Sequence, residues 1–216
     1  MQIINIKASR IPNRVWLTFS DQSFIPFFID DVVKLSLVRN QEIDDSKFLL
    51  IIQTCLFFIG HEYALRQIAI SPKTEKIITQ KLRLFFQRVI AKYKINTNGV
   101  NLNEISQQIL QDLKDKKLLN EKDFIDYFVR RNHKKSRQQI IYSLQQLGVN
   151  SGLLSSIQFD QESDVDKIKK LLNKKNIDKS KLTDFNEKNK VKASLYRRGF
   201  NLSDINTAFD DWLHIR

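Results

Sequence analysis

Apolar and polar positions change their period once along this 216-residue chain. In the first 28 residues they alternate as in β-strands, in QIINIKA, in RVWLTFS and, after the turn signal DQS, in FIPFFI. Pro26 cannot donate a hydrogen bond to a neighbouring strand, so the third run should lie at a sheet edge or break there. Because a small β meander cannot bury both of its faces by itself, we expect it to pack on a helix.

Beyond residue 28 the apolar positions recur at helical spacing. A short helix is predicted for IDDVVKLSLV, and stripes such as Ile105, Ile109 and Leu113 follow. Five of the later predicted helices start at a capping Asn or Ser, and an acidic residue stands three positions after the last four of these caps. The predicted caps are Ser71 (with Pro72 at the first helical position), Asn101, Asn120, Ser163 and Asn201.

The longest apolar run, FLLIIQTCLFFIG, covers about a dozen residues, whereas a bilayer requires about 20. It contains Gln53 and Thr54, so it predicts a core helix. Cys55 within this run is the single cysteine of the chain, which excludes a disulfide framework and fits a reducing compartment. The first ten residues contain no basic leader followed by an apolar stretch, so we expect a cytoplasmic protein.

One frame of residues occurs twice, 51 positions apart: SLQQLGVN starts at Ser143 and SLYRRGFN starts at Ser194. Glycine adopts the left-handed backbone conformation at no steric cost, so Gly148 and Gly199 should each end a helix. NGVN around Gly99 resembles a longer version of this joint. The repetition predicts a mainly α fold of tandem three-helix modules, which form an elongated, curved solenoid after the small β meander. The predicted domains are 1–53 (meander plus short helix) and three helical modules, 54–117, 118–158 and 159–216.

The formal net charge is +12, and it is unevenly distributed. Residues 1–60 contain six Lys or Arg and six Asp or Glu, so the whole excess lies in residues 61–216. Such an excess favours a polyanionic partner, most often nucleic acid and less often an acidic protein surface or an anionic membrane. A solvated basic face without a partner would give the same count.

The sequence shows no recognisable catalytic or cofactor-binding pattern. His61, His133 and His214 have no partner at metal-ligand spacing, and one cysteine cannot form a Cys-based zinc site. Neither G-x-G-x-x-G nor G-x-x-x-x-G-K-[ST] occurs, so these phosphate-binding loops are not predicted. We expect a protein without enzymatic activity, cofactor or metal.

Three basic clusters lie at or near the joints of the predicted modules. Cations in the last turn of a helix complement its negative end, which accounts for any one pair but less well for three clusters beside a neutral N-terminal segment. We therefore expect a basic ridge that contacts phosphates with little sequence specificity. The candidate residues are Arg130, Arg131, Lys134, Lys135 and Arg137 in the first cluster, Lys167, Lys169, Lys170, Lys174 and Lys175 in the second, and Lys188, Lys190, Lys192, Arg197 and Arg198 in the third.

Several segments resemble the RecX family of bacterial recombination regulators. LLNEKDFIDYFVRRNHKKSRQQIIYSLQQLGV has that family's capped, Phe-containing helix ending in arginines, followed by a helix that ends at a glycine. KASLYRRGFNLSDINTAF resembles its C-terminal Arg-Arg-Gly-Phe element, and ALRQIAISPKTEKIITQKL resembles its first module. The strand pair and DDVVKLSLVRNQEI are similar to the family's N-terminal extension. In one departure, Lys135-Ser136 stand where the family often has a glycine.

The resemblance implies a monomeric, non-enzymatic regulator that binds the RecA recombinase filament together with single- or double-stranded DNA. It would block filament growth or favour disassembly, and so reduce strand exchange in DNA repair and recombination and the SOS response. Two alternatives remain open. The chain could be a stand-alone, sequence-nonspecific nucleic-acid-binding protein, or a helical solenoid that binds only proteins.

Overall fold

The computed structural model describes residues 1–157, 159, 162–174 and 184–214. Within these ranges the chain forms three β-strands and ten α-helices, so the predicted mainly helical fold with a small N-terminal β meander is confirmed. The elements are β1 (Ile3–Ala8), β2 (Arg14–Phe19), β3 (Phe24–Phe28), α1 (Ile29–Lys34), α2 (Asp45–Ile70), α3 (Glu75–Tyr93), α4 (Leu102–Asp115), α5 (Glu121–Arg131), α6 (Arg137–Gln146), α7 (Ser151–Leu154), α8 (Asp164–Lys174), α9 (Phe185–Tyr196) and α10 (Leu202–His214).

The three strands form one antiparallel sheet in the order β1-β2-β3. In β2 the residues Val15, Leu17 and Phe19 are buried, and they alternate with partly exposed neighbours, as the sequence pattern predicts. Pro26 lies in β3 opposite Trp16. Its strand is an edge strand, as expected from the missing N–H of proline, and it does not break.

The buried face of the sheet packs on α2, which confirms the expected helical support. The ring of Phe19 meets Phe48 edge-on at 5.2 Å between centroids, and the Cys55 thiol donates to the carbonyl oxygen of Pro26 across 3.2 Å. The predicted domain boundary between residues 53 and 54 falls inside this 26-residue helix. The meander and the first helices therefore share one hydrophobic core rather than forming two.

Helix α2 is the one described helix that is long and apolar enough to span a membrane by length and composition. Its residues Ile51, Leu56 and Ala64 are buried in the core that α2 shares with the sheet, α3 and α4. The interpretation as a core helix therefore agrees with its packing.

Side-chain caps confirm most of the predicted helix starts for which the structure gives cap contacts. Asn101 accepts from the N–H of Glu104. In the same way, Ser163 accepts from the N–H of Asp166, and Asn201 accepts from the N–H of Asp204. The cap predicted at Ser71 is wrong. That residue has an extended backbone at the end of α2, and α3 begins at Glu75, where the Thr74 hydroxyl accepts from Ile77 N–H. Thr74, three residues after Ser71, provides the capping hydroxyl instead.

The described chain divides into two compact units, Met1–Asn120 (unit 1) and Glu121–Arg216 (unit 2). In unit 2 the last three helices enclose their own core around Ile168, Leu195, Phe209 and Trp212. The other predicted domain boundaries and the elongated, curved solenoid stay predictions.

Candidate nucleic-acid interface at a helical joint

The repeated glycines end helices α6 and α9 in the same way. Gly148 and Gly199 have φ values of 85° and 84°. In each case the N–H of the next residue reaches back five positions, from Val149 to the Leu144 carbonyl at 3.1 Å and from Phe200 to the Leu195 carbonyl at 3.4 Å. This is the helix-ending motif in which glycine supplies the left-handed residue.

Gly99 does not hold the equivalent position. Helix α3 ends at Tyr93. The next residue, Lys94, adopts the left-handed conformation with φ 52°, and Ile95 N–H reaches back to the Ile90 carbonyl at 3.1 Å. Gly99, with φ 79°, instead lies in the following turn, two residues before the cap Asn101. The loop KINTNGV therefore separates the end of α3 from Gly99, which the sequence pattern had placed in the same role as Gly148 and Gly199.

The Gly199 turn packs against the start of α6. The backbone N–H of Ser136 donates to the Arg198 carbonyl oxygen across 3.2 Å, and the buried Ser136 hydroxyl accepts from the N–H of Gln139 at 3.1 Å. A Cβ on Gly199 would lie 2.9 Å from the Ser136 Oγ and even closer to Gln139. The turn between α9 and α10 is thus fitted directly onto the start of α6.

This contact brings parts of the first and third basic clusters together. Lys134 and Lys135 immediately precede Ser136, while Arg197 and Arg198 immediately precede the glycine turn. Lys134 and Arg197 are exposed, and Lys135 and Arg198 are partly exposed. Among the described residues none of these four side chains has an acidic partner within 4.0 Å. We call Lys134, Lys135, Arg197 and Arg198 the joint patch.

Arg130 and Arg131 lie in the last turn of α5, just before the joint patch, and both are exposed. The Nε of Arg130 donates to the Asp126 carbonyl at 3.2 Å, and Arg131 donates to the Tyr127 hydroxyl at 2.6 Å. Because arginine carries five donors, each guanidinium has further N–H groups available to a partner. Both residues precede the joint patch by a few positions in the chain.

Arg137, unlike the cations just before it in the sequence, contacts the chain segment that precedes α8. Its guanidinium donates to the Glu162 carbonyl at 2.8 Å and lies 5.8 Å from the centre of the Phe159 ring, while its backbone N–H donates to Asp164 at 3.3 Å. These contacts join the start of α6 to the segment that leads into α8. Arg137 therefore contributes to packing inside unit 2.

Most of the second cluster is engaged in ion pairs. Lys167 lies 3.4 Å from Asp164, Lys169 lies 2.6 Å from Asp211, and Lys170 lies 2.9 Å from Glu162. Lys174 is exposed, and Lys175 lies outside the described residues. Paired charges attract phosphates less strongly than unpaired ones, so this cluster contributes less positive potential than its lysine count indicates.

The other lysines of the third cluster are also partly engaged in contacts within the protein. Lys190 lies 2.7 Å from Glu187, and this hydrogen bond raises the pKa of the Lys190 ammonium. The Lys192 ammonium donates to the Asn206 side chain at 2.6 Å and lies 5.5 Å from the Phe209 ring centre, which holds α9 on α10. Lys188 is partly buried on α9.

Sequence reasoning did not single out the cations of unit 1. Residues 61–120 contain eleven Lys or Arg and five Asp or Glu. Among them Arg66, Arg88 and Lys92 are exposed and border one cleft. A signal was available, because Phe85, Arg88 and Lys92 follow the i, i+3, i+7 spacing of one helix face.

The described residues include no group of three or more His, Cys, Asp or Glu side chains placed to hold a metal ion. His61 instead lies 2.7 Å from Asp112, linking α2 to α4, and the His133 ring contacts the Arg130 carbonyl at 2.9 Å. Both contacts are of the kind that stabilises a fold.

Comparison with known proteins gives a family match near the C-terminal end of the chain and a fold match over nearly all of it. Residues 162–209 match the family model of the RecX third three-helix domain. A crystal structure of regulatory protein RecX is 19% identical, covers 97% of this chain and 98% of its own, and superposes with a TM-score of 0.58. RecX from Lactobacillus salivarius is 23% identical over 73% of this chain and 96% of its own, with a TM-score of 0.48. No curated protein sequence matches the chain.

Proposed function

Since this chain is a RecX-family protein, we propose that it is a regulator of the RecA recombinase and that it binds the RecA filament together with its DNA. The observation that carries this proposal is the joint patch. Four cations from two modules meet around the Ser136–Arg198 hydrogen bond, and within the described chain they have no acidic partner. The proposal places the protein in the cytoplasm and involves no catalytic step.

The charge of the joint patch suits a phosphate backbone better than a base edge. Phosphates carry a regular series of negative charges, and lysine and arginine contacts to them are independent of sequence. If four side chains each neutralise one phosphate of single-stranded DNA, log K should fall against log salt with a slope of about −3. We therefore expect strong salt dependence and little sequence preference.

A filament offers a repeating lattice, and a chain of similar modules can touch it more than once. Linked contacts that are weak individually then add, because the second contact forms at a high effective concentration. Such binding would act on filaments at far lower protein concentrations than on free DNA. In this proposal the regulator reduces filament growth or promotes disassembly.

The direct test adds the purified chain to RecA filaments on single-stranded DNA while ATP hydrolysis and strand exchange are followed. We expect both rates to fall at substoichiometric protein. The triple variant Lys134→Gln, Lys135→Gln, Arg197→Gln should need about tenfold more protein for the same effect. The proposal is wrong if the wild-type chain leaves both rates unchanged.

A matched control removes the same number of charges elsewhere in unit 2. Lys169, Lys170 and Lys190 are each ion-paired; Lys170 and Lys190 are exposed and Lys169 is partly exposed, and surface pairs contribute about 0–1 kcal/mol of stability. The variant Lys169→Gln, Lys170→Gln, Lys190→Gln should therefore stay folded and retain wild-type potency. Equal loss in both triple variants would assign the effect to total charge and would remove the role proposed for the joint patch.

The same experiment distinguishes the two alternatives. A stand-alone nucleic-acid-binding protein would shift naked DNA at low salt and leave RecA activity unchanged. A solenoid that binds only proteins would act on RecA but would bind DNA negligibly, and the joint-patch substitutions would not alter its DNA affinity.

A further inference from the structure

A cleft of about 450 Å³ opens in unit 1 between the sheet and helices α2 and α3. The sheet contributes Trp16 and Pro26, and the helices contribute Tyr63, Phe85 and Tyr93. Its volume lies in the range of small-ligand sites, about 300–1,000 Å³. The cleft is formed by unit 1 alone, whereas the joint patch belongs to unit 2.

Aromatic rings form the walls of this cleft, and Tyr63, Phe85 and Tyr93 pack against the edge of the unit 1 core. The rings of Tyr63 and Phe85 stack with centroids 4.3 Å apart and planes 8° apart, and Trp16 meets Tyr93 at 5.6 Å. All four side chains are only partly buried. They therefore present flat apolar surface beside open space, in contrast to Phe86, which is fully buried.

Cations surround these rings. Arg66, Arg88 and Lys92 are exposed at the rim, and Arg14 lies deeper. The acidic residue among the lining residues is Glu62, which pairs with both Arg14 and Arg66, at 2.8 Å from the latter. Four cations and one carboxylate leave the lining of the cleft with a net charge of +3.

We infer that this cleft binds an unpaired nucleotide of single-stranded DNA, with the base against the aromatic walls and the phosphates against Arg88 and Lys92. Aromatic platforms combined with cations are the arrangement by which proteins hold single strands without reading sequence. The Nε of Arg88 donates to the Leu84 carbonyl at 3.2 Å, which orients the guanidinium and leaves its terminal N–H groups for a phosphate.

An acidic peptide would satisfy the rim cations but not the walls. Carboxylate side chains offer no flat ring to lie on Trp16 or on the Tyr63–Phe85 pair, whereas every base has one. Duplex DNA offers phosphates, but its bases are already stacked on one another. The combination of walls and rim therefore favours a single strand over both.

Trp16 makes the inference measurable, because the chain has two tryptophans and the other, Trp212, is buried in unit 2. An oligothymidylate of about twenty nucleotides should quench the fluorescence of the full-length chain. Trp16→Phe should abolish that quenching while nearly retaining the affinity measured by anisotropy of a labelled strand. Quenching that persists in Trp16→Phe would overturn the inference.

Two further variants separate charge from stacking. Arg88→Gln with Lys92→Gln should weaken oligothymidylate binding about tenfold and reduce the salt slope by about 1.4. Phe85→Leu, which keeps apolar volume but removes the flat ring, should weaken it at least about fivefold with an unchanged salt slope. The matched control is Lys76→Gln with Arg83→Gln, which removes two exposed charges of α3 outside the cleft and should have little effect.

The outcomes are independent of RecA. If the cleft variants bind like the control, or if duplex DNA or polyglutamate binds the cleft as tightly as oligothymidylate, the inference is wrong. The joint-patch triple variant should retain Trp16 quenching. Failure of the RecA assay with intact quenching would therefore count against the proposed function and leave the nucleotide cleft in place.

Discussion

Gly60 of α2 and Phe86 of α3 approach each other so closely that no methyl group fits between them. A Cβ on Gly60 would lie 2.6 Å from the Phe86 Cζ and 2.9 Å from the Cδ1 of Ile109 on α4. Phe86 is fully buried, so its ring has little room to move aside. The single helical glycine of α2 thus marks the place where the three long helices of unit 1 meet.

Gly60→Ala should therefore destabilise the protein despite the higher helix propensity of alanine. The propensity gain is about 1 kcal/mol, whereas overpacking a filled core costs about 1–3 kcal/mol. We expect a lower free energy of unfolding in urea and partial recovery in the double variant Gly60→Ala, Phe86→Leu. A single variant as stable as the wild type would show that the helices can separate at no cost.

Gly199→Ala should be more harmful than Gly99→Ala. Both glycines have positive φ, which costs a residue with a Cβ about 1–2 kcal/mol. Gly199 also lies against Ser136 and Gln139, which adds overpacking of about 1–3 kcal/mol, while the nearest atom to a Cβ on Gly99 is 3.7 Å away on Leu49. Thermal unfolding of the two variants checks the difference, and equal losses would contradict the tight fit of the joint.

Sequence patterns predicted local features of this chain well. The strand alternation around Leu17, the edge position of Pro26 and the glycine frame at Gly148 and Gly199 each depend on a few neighbouring residues. The start of α3 was misplaced because Ser71 and Thr74 both offer a capping hydroxyl, and only the backbone path decides between them.

The candidate site was less predictable because its charges interact over long sequence distances. Lys169 pairs with Asp211 across 42 positions, so counting lysines along α8 overstated the charge available to a partner. Ser136 meets Arg198 across 62 positions, and this contact unites two clusters that sequence placed in separate modules. Neither of these two contacts follows a periodicity or a motif, so neither can be predicted from a single sequence.

Acid should destabilise unit 1 partly through Glu62. Burial by itself would raise the pKa of this carboxyl, but hydrogen bonds from Arg14 and Arg66 outweigh burial and lower it. The unfolded chain then binds more protons than the folded one, so stability falls as the pH decreases. The contribution of Glu62 to the free energy of unfolding is complete above its unfolded pKa of about 4.3. It is lost as the pH falls through its lower pKa in the folded protein.

The measurement is the midpoint of thermal unfolding between about pH 6 and pH 2 for the wild type and for Glu62→Gln. We expect a flatter pH profile in the variant, because glutamine has no proton to gain. The two proteins differ in one titratable side chain, so the difference between their profiles reports on the carboxyl of Glu62. Parallel profiles would show that Glu62 does not contribute to acid sensitivity.

Cys55 should be unreactive in the folded protein and become reactive on unfolding. Its thiol is buried against the sheet, and burial raises its pKa to about 12. Because the thiolate is the reactive form, both its scarcity and its inaccessibility protect the residue at about pH 8. Reaction with a thiol-specific chromogenic reagent should therefore follow the urea unfolding curve, with Cys55→Ala giving the background. Rapid stoichiometric labelling in native buffer would mean that α2 separates from β3 readily, and it would contradict the shared core of sheet and helix.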